Sequence, residues 1–166
     1  MRKSFLSLSV LAAAAVALSA CGFTPLYGTP GVTAQLSGIQ VATPQGRVGQ
    51  LIREHLDDQF ARNGGAPHLY RMDLSLGETR YPRGLRVDNV ATRYEYVLTA
   101  TYVLSAVPSG TPVKRGQARV MVTYDSADQP YASIAAQQDA QDRAAAEAAR
   151  RIQLELAAWM ATQPRT

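Results

Sequence analysis

Arg93-Tyr94-Glu95-Tyr96-Val97-Leu98-Thr99-Ala100-Thr101-Tyr102-Val103-Leu104-Ser105-Ala106-Val107 is the stretch that decides the fold. Tyr94, Tyr96, Leu98, Ala100, Tyr102, Leu104 and Ala106 share one face, and Arg93, Glu95, Val97, Thr99, Thr101, Val103 and Ser105 share the other. A period of two is the signature of a strand, since successive side chains of a pleated chain point to opposite sides. Pro108-Ser109-Gly110 then turns the chain. A partner strand is expected from about Gln117 to Tyr124, with Val120, Val122 and Tyr124 facing inward. Upstream, residues 68–78 alternate too: Tyr70, Met72, Leu74 and Leu76 on one side, Arg71, Asp73 and Ser75 on the other. Hairpin connections among these three strands imply antiparallel pairing.

Two helical patterns flank this core. Val48, Leu51, Ile52, Leu56 and Phe60 recur at helical spacing and predict a helix from about Val48 to Arg62, stopped by Asn63-Gly64-Gly65. A second helix is expected from about Ser133 to Thr162, with Ala145, Ala148, Ile152, Leu156 and Trp159 as its stripe and Met160 beside it. Residues 38–43 read as a short strand before Pro44-Gln45-Gly46. The expected class is α+β: two amphipathic helices packed on one face of a small, mostly antiparallel four-stranded sheet. The other face carries Thr99, Thr101, Val103, Thr123 and several arginines. It is either a solvated face or a contact surface, and the pattern alone does not choose.

The N-terminus carries a different message. Arg2 and Lys3 precede an apolar run from Phe5 to Leu18, and Leu18-Ser19-Ala20-Cys21 closes it on the sole cysteine. This is the build of a bacterial lipoprotein signal. The expectation is removal of residues 1–20 and conversion of Cys21 to a diacylglycerol thioether whose freed amine takes a further fatty acid such as palmitate. Three acyl chains, at about 0.8 kcal/mol per buried methylene, hold a protein to a membrane stably. Gly22 stands where aspartate would direct inner-membrane retention in Gram-negative lipoproteins, so the expected address is the outer membrane. Thr24 to Ser37, with two prolines and two glycines, reads as an extended tether. The expected layout is therefore signal peptide 1–20, lipidated N-terminus and tether 21–37, and a single α+β domain 38–166.

Composition bounds the function. Setting Arg2 and Lys3 aside leaves 15 basic against 13 acidic residues, which is no polyanion-binding signature in bulk. The distribution is more telling. From Arg71 to Arg119 there are eight basic residues (Arg71, Arg80, Arg83, Arg86, Arg93, Lys114, Arg115, Arg119) against four acids. Arg80, Arg83 and Arg86 recur every third residue around Pro82-Gly84, in what reads as a connection between strands. Guanidinium forks hold phosphate and carboxylate in bidentate fashion, so an anionic glycolipid head group suits this segment. The rival reading is a solvated basic loop, or one meeting a partner's acids. No catalytic pattern accompanies it. His55 and His68 lack metal-ligand spacing, no serine lies in a nucleophile elbow, and Gly64-Gly65 follows a helix instead of opening one. The expectation is no enzyme and no cofactor beyond the covalent lipid, and an extracytoplasmic address disfavours nucleic acid.

These pieces resemble a known family. Cys21-Gly22-Phe23-Thr24-Pro25-Leu26-Tyr27-Gly28, the Arg93-Tyr94-Glu95-Tyr96 strand running into Leu98-Thr99-Ala100, and Tyr124-Asp125 followed by Tyr131-Ala132 and the Ala/Arg helix from Arg143 to Trp159 are similar to the lipopolysaccharide-assembly lipoproteins of the LptE type, in their alphaproteobacterial form. The resemblance implies two helices on a small sheet and no enzymatic activity. It implies a lipid anchor on the periplasmic side of the outer membrane. It also implies a plug inside an LptD-like β-barrel translocon, which the lipoprotein helps to assemble, and binding of lipopolysaccharide itself. The candidate lipopolysaccharide-binding residues are Arg80, Arg83, Arg86, Arg93, Lys114 and Arg115, with Arg83 and Arg86 nearest the family's basic position before the central strand. The alternative is an auxiliary outer-membrane lipoprotein of a phospholipid-trafficking transporter.

Overall fold

The computed structural model describes residues 31–42, 45–61, 67–85, 87, 91–126 and 129–163. In chain order the elements are α1 (Val32–Ser37), β1 (Ile39–Ala42), α2 (Arg47–Gln59), β2 (Tyr70–Leu85), β3 (Ala91–Ala106), β4 (Pro112–Asp125) and α3 (Pro130–Ala161). The strands form one sheet in the order β1-β2-β3-β4. β2, β3 and β4 are an antiparallel meander, with Tyr70 opposite Ala106 at one end and Arg83 opposite Arg93 and Asp125 at the other. β1 lies parallel to β2, Ile39 opposite Tyr70. A parallel pair cannot be joined by a hairpin, and α2 supplies the crossover.

The alternating pattern of β3 sets the core. Tyr96, Leu98, Ala100, Tyr102 and Leu104 are buried, joined on the same face by Met72, Ala118, Val120 and Tyr124. α3 lies over them through two rows at i, i+4 spacing. One is Ala140, Ala144, Ala148, Ile152, Leu156 and Met160; the other is Ala145, Ala149, Gln153 and Ala157. Alanine loses no side-chain rotamer entropy on burial, and its small size lets a helix approach a sheet closely. α2 packs beside α3 with Val48, Ile52 and Leu56. Its end is held by Gln153, the buried polar side chain of the core, whose Nε2 donates to the Gln59 carbonyl at 2.8 Å. Trp159 meets the edge of Tyr70, centroids 6.3 Å apart.

Four departures from expectation have physical causes. Residues 32–37, read as extended tether, form a helix with Val32 and Leu36 in the core, so packing starts before residue 38. β2 runs on to Leu85 because β3 offers it partners throughout. The expected loop carrying Arg80 and Arg83 is therefore strand, and Pro82 is tolerated because β1 has ended and the position is at a sheet edge. β4 begins at Pro112, ahead of the expected Gln117, for the same reason. α3 starts at Pro130, a residue whose fixed φ suits the first helical turn. The signal segment, Cys21 and the first part of the tether lie outside the described residues, as does Arg86.

Candidate functional site

Parity along a strand divides the basic candidates between the two faces of the sheet. Arg80 belongs to the helix side. Its Nη1 donates to Gln137 Oε1 on α3 at 2.7 Å, and its guanidinium sits 4.7 Å over the Tyr94 ring, itself stacked on Tyr124. Two residues earlier, Glu78 accepts from the Tyr96 hydroxyl at 2.7 Å and from Gln141 Nε2 at 3.3 Å. Burial first, and then that bond to Glu78, push the Tyr96 phenol far above its usual range. Lys114 is on the same side and pairs with Glu155 of α3 at 2.8 Å. Arg80 and Lys114 therefore fasten α3 to the sheet.

Arg83, Arg93 and Arg115 belong to the open face. Arg83 and Arg93 are direct cross-strand neighbours, an arrangement that repels unless charge is balanced. Balance comes from carboxylates on the same face: Arg83 Nη2 lies 3.3 Å from Glu95 Oε1, and Arg93 Nε lies 2.7 Å from Asp125 Oδ1. The Asp125 bond raises the Arg93 pKa still further. Arg83, Gly84, Thr92, Arg93 and Asp125 line an open pocket of about 580 Å³ at this end of the sheet. Gly84 turns there at φ +59°, a conformation that favours glycine, and its carbonyl accepts from Thr92 Oγ1 at 2.7 Å.

Chemically, this corner presents two exposed guanidinium forks side by side, Arg83 resting on the half-buried Glu95 and Arg93 on the exposed Asp125. Exposed ion pairs are worth only about 0–1 kcal/mol, so a doubly charged phosphate can take over either fork at small cost. Arg115 has no hydrogen-bond or ion-pair partner among the described residues, and neither does Arg119 two positions on. Arg119 was not among the sequence candidates, although it has the parity of Arg115 and was visible by that count. His55, by contrast, is engaged: its Nε2 is 2.9 Å from Asp142 Oδ1. Among the described residues no group of histidine, cysteine and carboxylate side chains could hold a metal ion, and no helix is long and apolar enough to cross a membrane.

Comparison with known proteins adds the family. Residues 33–156 match the family model LptE, lipopolysaccharide-assembly. The chain belongs to the LptE family. Its members are lipopolysaccharide-assembly lipoproteins with no known cofactor. A crystal structure of a protein described as a lipoprotein from Caulobacter crescentus CB15 is similar at 51% identity, covering 81% of this chain and 99% of that one, with a TM-score of 0.70. The rare lipoprotein B of Shewanella oneidensis shares the fold at 13% identity, covering 74% of this chain and 93% of that one, with a TM-score of 0.56. Lipoprotein B of Nitrosomonas europaea does so at 12% identity, covering 75% and 84%, with a TM-score of 0.56. No curated protein matches the chain.

Proposed function

We propose that this LptE-family protein is held on the periplasmic side of the outer membrane by acyl chains on Cys21, plugs and helps assemble an LptD-like β-barrel translocon, and binds lipopolysaccharide during its delivery to the cell surface. The match of residues 33–156 to the lipopolysaccharide-assembly family carries the reading. The geometry supports it. The chain enters the fold through α1 and β1, at the Tyr70 end of the sheet. β2 then extends 16 residues, about 50 Å at roughly 3.3 Å per residue, to the arginine corner. The first described residues of the chain and the arginine corner are thus at opposite ends of a long sheet, an arrangement that suits a plug reaching into a lumen. The polar open face suits the polar interior of a large barrel. The corner arginines compete with divalent cations for the phosphates of lipid A.

A gentle-detergent pull-down of the tagged protein from its native outer membrane tests the partner. A large β-barrel recovered in one-to-one amount is the expected result. Transporter or tunnel proteins in its place would overturn the plug reading in favour of phospholipid trafficking. For the ligand, Arg83→Glu with Arg86→Glu is expected to weaken lipopolysaccharide binding by about tenfold or more, each charge-assisted bond being worth roughly 1.5–3 kcal/mol. The melting temperature should hardly move, because Arg83 is exposed. Unchanged binding would remove these residues from the site.

A further inference from the structure

β2 is paired on both sides only at its start. β1 accompanies it from Tyr70 to Asp73 and then ends, while β3 stays in continuous register with it as far as Arg83. From Leu74 to Gly84 the outer edge of β2 therefore has no strand beside it among the described residues. One bond fixes the direction of its free backbone groups. Val107 N–H donates to the Leu69 carbonyl at 3.0 Å, so odd-numbered residues of β2 turn their backbone toward β3 and even-numbered ones toward the outside. Leu74, Leu76, Glu78 and Arg80 thus present both N–H and C=O to the edge, and Pro82 presents its carbonyl. Native sheet edges are normally blunted by bulges, covering segments, proline or charge. The other edge of this sheet is guarded in that way. β4 opens on Pro112, shifts register opposite Leu104 and Ser105, and has its Arg119 carbonyl covered by Arg151 Nη1 at 2.8 Å. β2 offers an unbroken run from Leu74 to Tyr81, with Pro82 only near its far end.

We propose that this edge pairs with the same edge of a second copy of the chain, antiparallel, about a two-fold axis through Thr79. Thr79 is the midpoint of the free segment from Leu74 to Gly84, so this pairing uses the whole edge and stops short of β1 in both copies. In the joined sheet the helix side of one copy continues into the helix side of the other, so only residues of like parity meet. Glu78 then faces Arg80 of the second copy and Arg80 faces its Glu78, two opposite-charge pairs. Both bonds that Glu78 makes within its own chain fall on Oε2, which leaves Oε1 for the incoming guanidinium. Tyr81, 43% exposed, faces Gly77, where only Thr99 comes within 4 Å of the space a side chain would fill. An aromatic ring across from a strand glycine is a stabilising pair. Leu76 faces Pro82, and Thr79 meets its own hydroxyl. The backbone agrees: Glu78 and Arg80 exchange both ladder bonds with their opposites, and Leu76 N–H donates to the Pro82 carbonyl. Other registers fail. An axis at Glu78 or at Arg80 sets like charges against each other, and one at Gly77 drives Pro82 onto Met72, a position that β1 already holds. Because the two copies run in opposite directions, their chain starts lie at opposite ends of the joined sheet. The pair is thus a form of the chain outside any barrel, and it does not depend on the lipopolysaccharide reading.

The test uses the full lipidated chain in density-matched non-ionic detergent, followed by sedimentation equilibrium. Wild type is expected to show a reversible monomer–dimer equilibrium. Thr79→Lys sets two ammonium groups against each other on the axis and should raise the dimer Kd about fivefold or more. Its melting temperature should stay at the monomer's value, because Thr79 is exposed. Cysteine linkage reads the register. Residues on the axis form a non-hydrogen-bonded pair with Cα atoms about 4.5 Å apart, within the range of roughly 4.4–6.8 Å that a disulfide spans. Mild oxidation of Thr79→Cys should therefore join two copies. Gly77→Cys should join to Tyr81→Cys in a mixture but not to itself. Thr101→Cys, exposed on β3 away from the edge, should join nothing, and wild type, whose sole cysteine is Cys21, supplies the background. A monomer at every concentration, or a dimer that Thr79→Lys leaves unchanged, would overturn the proposal. So would self-linkage of Gly77→Cys that outpaces that of Thr79→Cys, since it would place the axis elsewhere.

Discussion

Replacing Gly116 with valine is expected to destabilise the protein by about 3 kcal/mol or more, at the upper end of overpacking costs. Gly116 lies directly opposite Tyr102 on the core face of the sheet. A Cβ placed there would stand 2.6 Å from Cε1 of the Tyr102 ring and nearer still to Cζ and the hydroxyl. Tyr102 cannot swing away, because it is fully buried among α3 and the sheet. Glycine in a strand is usually a weakness, but here the aromatic ring covers the space a side chain would fill. Tyr102→Ala alone should cost about 3–5 kcal/mol as a cavity. The double variant should cost much less than the two combined, because each change removes the other's clash or void. Urea midpoints of the four proteins measure this cycle. Gly116→Val within 1 kcal/mol of wild type would show that the ring does not occupy that space.

The same pair shows what the chain reveals by itself. The alternation in residues 93–107 was enough to give β3, its buried face and its two neighbours, since a period of two leaves little freedom in which side chains face the core. It did not give the ends of β2 and β4. Glu78-Thr79-Arg80 and Pro82-Arg83-Gly84 look like a turn by local propensity, and Lys114-Arg115-Gly116 interrupts an apolar pattern. Both stretches become strand because a long β3 pairs with them, a tertiary effect that local composition does not carry. α1 was missed because six residues make a weak helical signal amid glycine and proline, although Val32 and Leu36 already stood at i, i+4.

The consequence for the site is larger than for the fold. Treating 79–92 as the connection between strands made Arg80, Arg83 and Arg86 one cluster. As strand, Arg80 and Arg83 face opposite ways: one joins Gln137 and Tyr94 under α3, the other joins Glu95 on the open face. Lys114 and Arg115 part in the same manner, the first to Glu155 and the second to open solvent. Basic content was legible in the sequence; which charges were spent on holding the helix became visible only with strand register. Arg119, whose side chain none of the described residues engages, emerges from that same register.

Ile152→Ala is expected to cost about 2–5 kcal/mol, while Ile134→Ala, the same change in the same helix, should stay within about 0.5 kcal/mol. Ile152 is fully buried in the i, i+4 row that meets α2 and the sheet, whereas Ile134 is 53% exposed. The difference divides α3 into two regimes. From Ala140 onward it is held by apolar packing. Before Ala140 it is held by polar contacts to the β2–β4 end, chiefly Gln137 with Arg80 and Ser133 with Ser126 at 2.9 Å, and Tyr131 stands 89% exposed. Net contributions of such bonds are about 0.5–1.5 kcal/mol each, so this first part should open far more readily than the rest. Amide exchange should therefore be fast for residues 131–139 and slow for 144–157. Equal protection along the helix, or equal costs for the two isoleucines, would mean that the first turns are anchored as firmly as the core. A soft helix start beside the arginine corner also fits the function. It places the more weakly held part of α3, with Tyr131 and Ile134 outward, at the end that is proposed to enter a barrel, where a partner surface can order it.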